Sequence, residues 1–263
     1  MENKYLARSE APISAETWAM LDEAMAGAAK GQIAGRRLLH IEGPFGFGLK
    51  VVPLEDCDAS GNVIQSSLLS LNLIQTTFTL GKRDLASHDR DGLPLGLDGV
   101  ACAAIECARL EDAIIFEGTE GTNGLLTVEG SGALTLSSWN TVGKAADDII
   151  QAITRLDDAG FHGPYCMALA PSRYNLLFRR YPQGGTELEH ISGVVTDGVF
   201  KAPGLDKGGV LLASGKQFVS IIMGQDMTVG YIGPVGGDLE FSVSESLALM
   251  VRQPAAICAL KEK

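Results

Sequence analysis

The side chains able to do chemistry are scattered through this sequence. Four histidines, His40, His88, His162 and His190, lie far apart, and no HExxH or comparable metal-ligand spacing joins any of them. Metal-assisted catalysis is not expected. A Cys-His hydrolase assembled from Cys166 and His162 or His190 stays open, because such constellations are set by geometry and not by chain order. Against it, Cys166 sits inside the apolar run Tyr165 to Ala170, where burial raises a thiol's pKa and leaves it inert. Gly43, Gly46 and Gly48 superficially match a phosphate loop, yet Pro44 interrupts them, no helix is predicted to follow and no Gly-Lys-Ser/Thr is present. The carboxylate neighbours Glu111-Asp112 and Asp147-Asp148 fall on predicted helices, where adjacent residues point in different directions, and they read as solvated faces. Cys57, Cys102, Cys107, Cys166 and Cys258 are an odd, scattered set without a CxxC pair, so they read as reduced, mostly buried small hydrophobes.

The elements that would position such groups are readable in outline. Ser14 followed by Glu16 marks a helix start, and the spacing predicts a helix from Ala15 to Lys30 with Trp18, Leu21, Met25 and Ala29 on one stripe. That stripe needs cover, either from the same chain or as an interface or peptide-docking groove. Leu49 to Leu80 reads as a long hairpin turning at Asp58 to Asn62, its second arm running from Val63 to Leu80, and it needs a neighbour to lie on. Gly92 to Gly99 is a loop before the longest helix signal, Val100 to Phe116; Gly118, Gly121 and Gly124 predict a flexible connection. Thr141 can cap a helix with the stripe Ala145, Ile149, Ile153 and Leu156, closed by Gly160. A buried strand from Tyr165 to Ala170, a helix near Ser172 to Arg180 and a polar turn from Tyr181 to Gly185 follow. The apolar runs Val210 to Ala213, Phe218 to Met223, Thr228 to Ile232 and Leu247 to Val251 read as sheet. The class is α+β, without solenoid repeats.

At 263 residues the chain can bury roughly three-quarters of its unfolded surface in one large domain or two modest ones. With 46% hydrophobic and 20% charged residues it is ordinary globular material. A formal net charge of −11 repels a phosphate backbone, and the pairs Arg36-Arg37 and Arg179-Arg180 do not overturn it, so nucleic acid is not an expected partner. Met1 to Pro12 lacks the apolar core of a secretory signal, and no segment reaches the ~20 apolar residues that span a bilayer. A cytoplasmic protein without membrane contact is expected.

Several segments, in order along nearly the whole chain, resemble the encapsulin coat proteins. They are Leu6-Ala7-Arg8-Ser9 leading through Ala11-Pro12 to a helix with Trp18, then Gly35-Arg36-Arg37 and Ile41-Glu42-Gly43-Pro44-Phe45-Gly46. Thr77-Phe78-Thr79-Leu80, Leu110-Glu111-Asp112 with Ile114 to Gly118, and Gly124-Leu125-Leu126 continue the match. Gly163-Pro164-Tyr165, Gly224 to Tyr231, and a terminal strand around Pro254-Ala255-Ala256 complete it.

The resemblance implies the tailed-phage major capsid (Hong Kong 97-type) fold: an amino-terminal helix and the start of a peripheral domain in residues 1–48, an extended loop in 49–82 and the spine-helix part of the peripheral domain in 83–133. An axial domain would occupy 134–226 and peripheral sheet 227–263. It implies a non-enzymatic subunit that self-assembles into an icosahedral nanocompartment of about 60 copies. The turn Tyr181, Pro182, Gln183, Gly184, Gly185 and Thr186 would line the five-fold pore. A cargo enzyme, a ferritin-like iron oxidase or a dye-decolourising peroxidase, would dock through its carboxy-terminal peptide on Leu21, Met25, Ile33, Arg36 and Leu39, serving iron storage or oxidative-stress defence. Some relatives hold a flavin against a tryptophan where this chain has Arg83, so no flavin or other cofactor is expected. The rival readings are a cysteine-type protease or bacteriocin and a prophage capsid protein.

Overall fold

A computed structural model describes residues 3–60 and 63–262, without the side chains of 57–60 and 63. Along the chain, α1 (Ala15–Lys30) is followed by the single turn α2 (Gly35–Leu38) and β1 (His40–Glu42). Then come β2 (Val51–Ser60), β3 (Val63–Ser70), β4 (Asn72–Gly81), α3 (Lys82–Asp91) and the long α4 (Asp98–Phe116). Short strands β5 (Gly118–Thr119), β6 (Thr122–Asn123) and β7 (Gly132–Thr135) precede α5 (Lys144–Asp158) and β8 (Tyr165–Leu169). The last part holds α6 (Pro171–Tyr174), α7 (Glu187–Ser192), β9 (Val199–Lys201), β10 (Gly209–Ala213), β11 (Val219–Val235), β12 (Asp238–Val251) and β13 (Ile257–Lys261). These stretches interleave into two compact units. The first takes residues up to Gln32, Gly43–Glu111 and Met223–Ala248; the second takes Ile33–Glu42, Asp112–Ile222 and the chain from Leu249 onward.

In the first unit, Ser14 Oγ accepts the Thr17 amide (3.0 Å) and starts α1, whose stripe Trp18, Leu21, Met25 and Ala29 is buried. Trp18 meets Phe241 of β12 edge-on (5.7 Å) and Phe78 of β4 stacks on the same ring (5.4 Å), so three aromatics form the centre of this core. β4 runs antiparallel to β12 from Asn72↔Leu247 to Gly81↔Asp238. The predicted second hairpin arm therefore divides. Ile74, Phe78 and Leu80 point inward at alternate positions and draw β4 into the sheet, leaving β2 and β3 alone as the hairpin. Of the expected turn at 58–62, residues 61 and 62 lie outside the described residues.

The second unit is a five-stranded sheet in the order β7-β13-β10-β8-β9, covered by α5 through Ala145, Ile149, Ala152 and Leu156. β13 lies between β10 (Leu260↔Gly209) and β7 (Cys258↔Gly132), and this pairing carries the chain from Leu249 onward into the second unit. Within β11 the two units meet between Ile222 and Met223.

Three expectations are corrected. The carboxylates Glu111, Asp112 and Asp148 are buried, not solvated. Asp112 accepts the Ala34 and Gly35 amides (both 2.9 Å), which the start of α2 would otherwise leave without partners. Asp148 accepts the Ser137 amide (2.7 Å), the Ser137 hydroxyl (2.9 Å) and the Trp139 indole N–H (2.8 Å). The Gly118–Gly124 stretch is likewise built, not flexible. β5 and β6 pair there, and Gly118 takes φ +85°, where an added Cβ would run into the Thr122 carbonyl. Instead of a helix to Arg180, α6 gives way to a 3-10 turn at Asn175–Phe178. The helices α3 and α7 have no counterpart in the apolar pattern: α3 buries only Leu85.

Removing the Asp148 carboxylate leaves the buried Trp139 N–H and the two half-buried Ser137 donors without their acceptor. Asp148→Ala is expected to lower the unfolding free energy by about 3 kcal/mol, and Asp148→Asn by less. Urea titration followed by tryptophan fluorescence measures both.

Candidate functional site

No catalytic constellation is assembled among the described residues. Cys166 is 1% exposed in β8, its thiol donates to the Leu38 carbonyl (3.4 Å), and burial pushes its pKa up to about 11. His162 is turned to Asp157 (3.1 Å), and the ring of His190 lies against Tyr181 (5.9 Å). Neither histidine is placed as a base for the thiol, so the protease reading loses its nucleophile.

The exposed features are of another kind. In the β2–β3 register Val51 faces Ser70, Pro53 faces Leu68 and Asp58 faces Ile64, which sets Val51, Pro53, Ile64 and Leu68 on one side of the ribbon together with Asp56, Ser66 and Ser70. Val51 is 43% exposed, Leu68 59% and Ile64 68%, so the apolar residues of this side have no cover among the described residues. A two-stranded ribbon is marginal in water without a surface to pack on.

The polar turn, in contrast, is closed by its own bonds. The Tyr181 amide donates to the Gly185 carbonyl and the Gly184 amide to the Tyr181 carbonyl (both 3.0 Å), beneath a bridge between Arg180 and Thr186. Gly184 and Gly185 take φ +99° and +78°, and Pro182, Gln183 and both glycines are exposed. Thr186 caps α7 reciprocally with Glu189, donating its amide to Glu189 Oε2 (3.0 Å) and accepting the Glu189 amide (3.2 Å). The buried Glu187 accepts from the Gly143 amide (2.7 Å) and the Arg179 guanidinium (2.8 Å) and so ties the turn to the start of α5. Burial, with the charges of Glu187 and Asp147, raises the Tyr181 pKa. Glu187 and Arg179 were not foreseen, although Thr186-x-x-Glu189 is a capping-box signature legible in the sequence.

The proposed docking residues divide between the units. Leu21 (0% exposed) and Met25 (8%) belong to the core of the first unit, and Leu39 (7%) is buried in the second. Only Ile33 and Arg36, both half-buried in the second unit, keep side-chain surface. The α1 stripe is therefore covered by its own unit. Arg83 is exposed in the first turn of α3.

Residues 2–248 match the linocin family, described as "Encapsulating protein for peroxidase". The chain belongs to the encapsulin family. It is similar to the Type 1 encapsulin shell protein EncA of Myxococcus xanthus, 31% identical across 98% of this chain and 96% of that protein. It is also similar to a ferritin-like-encapsulin shell fusion protein of Pyrococcus furiosus, 26% identical over 86% of this chain and 64% of the fusion. Among solved structures, the virus-like particle from Pyrococcus furiosus superposes with a TM-score of 0.78 at 20% identity, over 94% of this chain and all of that one. The capsid of Myoviridae phage XM1 gives 0.60 at 13%, over 86% and 90%. The encapsulin chain thus has the tailed-phage capsid fold, and both relatives are named for an encapsulin shell. No helix among the described residues is long and apolar enough to cross a membrane.

A thiol with a pKa near 11 is almost wholly protonated at pH 8 and also sterically closed. Iodoacetamide at pH 8 is expected to leave Cys166 unmodified in the native chain and to label it after unfolding, as read by peptide mass spectrometry. Rapid native labelling would restore the hydrolase reading.

Proposed function

We propose that this encapsulin chain is the single building block of a closed icosahedral shell in the cytoplasm that confines a cargo enzyme. The observation that carries the reading is the β2–β3 ribbon, whose Val51, Ile64 and Leu68 are exposed without cover among the described residues; in the proposed shell, identical neighbours supply that cover. About 60 copies of a 27.7 kDa chain give a particle near 1.7 MDa. The rigid Tyr181–Thr186 turn is the rim of the five-fold pore, where its capping box and the Glu187 anchor hold a constant aperture for small ions and substrates. The cargo is a ferritin-like iron oxidase or a peroxidase, and the shell serves iron storage or oxidative-stress defence. The family's description names a peroxidase, and the Pyrococcus furiosus relative is named as a fusion to a ferritin-like protein. The cargo's carboxy-terminal peptide is retained at the half-buried Ile33 and Arg36, an aliphatic contact beside a cationic anchor. No flavin takes part, since Arg83 stands at the expected stacking position.

Size-exclusion chromatography with light scattering tests the assembly. The wild-type chain is expected at megadalton mass without nucleic-acid absorbance, and Leu68→Asp is expected to remain a folded small species by circular dichroism. A wild-type monomer or dimer at all protein concentrations contradicts the reading, and particles loaded with DNA favour the prophage capsid.

Cargo retention is tested by Ile33→Asp and Arg36→Glu, which leave the α1 core intact. Both are expected to form normal particles and to lose at least tenfold in retained cargo on co-expression; undiminished loading removes these residues from the docking site.

A further inference from the structure

Asp148 leaves one of its two oxygens unused. The residue is 6% exposed, and the Ser137 amide, the Ser137 hydroxyl and the Trp139 indole N–H all converge on Oδ2. Oδ1 accepts no hydrogen bond from the described residues, yet it is not sealed in, and Asp148 lines an open cavity of about 530 Å3. An ionised carboxylate has about four acceptor positions, and burial strips away much of the water that would fill them. A buried carboxylate oxygen with no donor from its own chain calls for an occupant that brings a donor or a positive charge.

The rest of the cavity offers matching chemistry. It lies wholly in the second unit, between the 137–141 segment and the first two turns of α5. Ser138, Asn140 and Thr141 line it with two hydroxyls and a carboxamide, and none of these side chains is hydrogen-bonded to another described residue. Asp147 adds a second carboxylate, with the Lys144 ammonium at 3.2 Å. Two carboxylates against one ammonium leave the cavity negative. The positive end of α5 does not reverse that sign, because the Glu187 carboxylate already takes the Gly143 amide there (2.7 Å). The ligand atoms on offer are oxygens, with no imidazole or thiol among them, which selects a hard cation over zinc or copper. No group of three or more carboxylate, imidazole or thiol ligands occurs among the described residues, so a bare ion finds no cage. A hydrated ion needs less: one or two carboxylates for charge, with its remaining positions kept by water. At roughly 30 Å3 per water the cavity has room for such an ion and its shell.

We propose that this cavity binds one hydrated divalent cation of the magnesium or calcium class, anchored on Asp148 Oδ1 and Asp147, with its waters held by Ser138, Asn140 and Thr141. Every group involved belongs to one chain, so the site does not depend on the shell reading. Trp139 supplies a built-in reporter, since its N–H lies on the same carboxylate. Terbium(III), which takes oxygen ligands as calcium does, is titrated into the wild-type protein and its emission read on tryptophan excitation. Emission is expected to saturate at one ion per chain and to fall when excess Ca2+ or Mg2+ is added. Asn140→Ala combined with Asp147→Asn changes two exposed side chains and is expected to weaken terbium at least tenfold, with the circular dichroism unchanged. Asp148→Asn keeps an acceptor for the Ser137 and Trp139 donors and is expected to weaken it as much. Absence of sensitised emission from the wild type overturns the proposal. Emission of unchanged affinity in the folded double variant also overturns it, by giving the ion to the acidic surface elsewhere.

Discussion

A two-stranded ribbon with one apolar side cannot hide that side from water by itself, and everything distinctive about this chain follows from the constraint. Val51, Pro53, Ile64 and Leu68 share a face with Asp56, Ser66 and Ser70, because pairing across an antiparallel ladder puts opposite residues on the same side. The segment stays a separate two-stranded ribbon while the adjacent β4 is drawn into a sheet, so its exposed apolar side chains gain nothing from either sheet. A subunit of this kind is complete only in company.

The second unit solves the opposite problem, holding an exposed turn in one shape. Turns of Gly, Pro and Gln have little side-chain packing to fix them, so the fixing is polar. Thr186 and Glu189 satisfy each other's amides, and Glu187 reaches across to the start of α5 while binding Arg179. Asp148 does equivalent work on the other side of the α5 start by gathering Ser137 and Trp139. Buried carboxylates of this sort are tolerable because each accepts several N–H or O–H donors, which replaces the water it lost.

The sequence was most informative where periodicity was strong. The helices at Ala15–Lys30 and near Val100–Phe116, the stripe of α5 and the runs that became β8, β10 and the end of β12 follow directly from apolar spacing. It was least informative where a partner distant in the chain decides the outcome. Nothing local to Asp112 says that the Ala34 and Gly35 amides, 77 or more positions away, will seek it. The apolar run that looked like one hairpin arm divides at Leu71 because Phe78 finds Phe241. The α1 stripe was readable as either core or docking surface, and Trp18 against Phe241 makes it core. Family resemblance gave the fold as a whole, but the residues expected to meet cargo included three that the chain buries for itself.

If association completes the ribbon, its backbone amides should be guarded only in the assembled state. Hydrogen–deuterium exchange over residues 51–60 and 63–70, compared between intact particles and chain dissociated at the same pH, measures this directly. The account predicts exchange slowed by at least a hundredfold in particles, with the amides of α5 equally protected in both states. Equal, rapid exchange of the ribbon in both samples would contradict it.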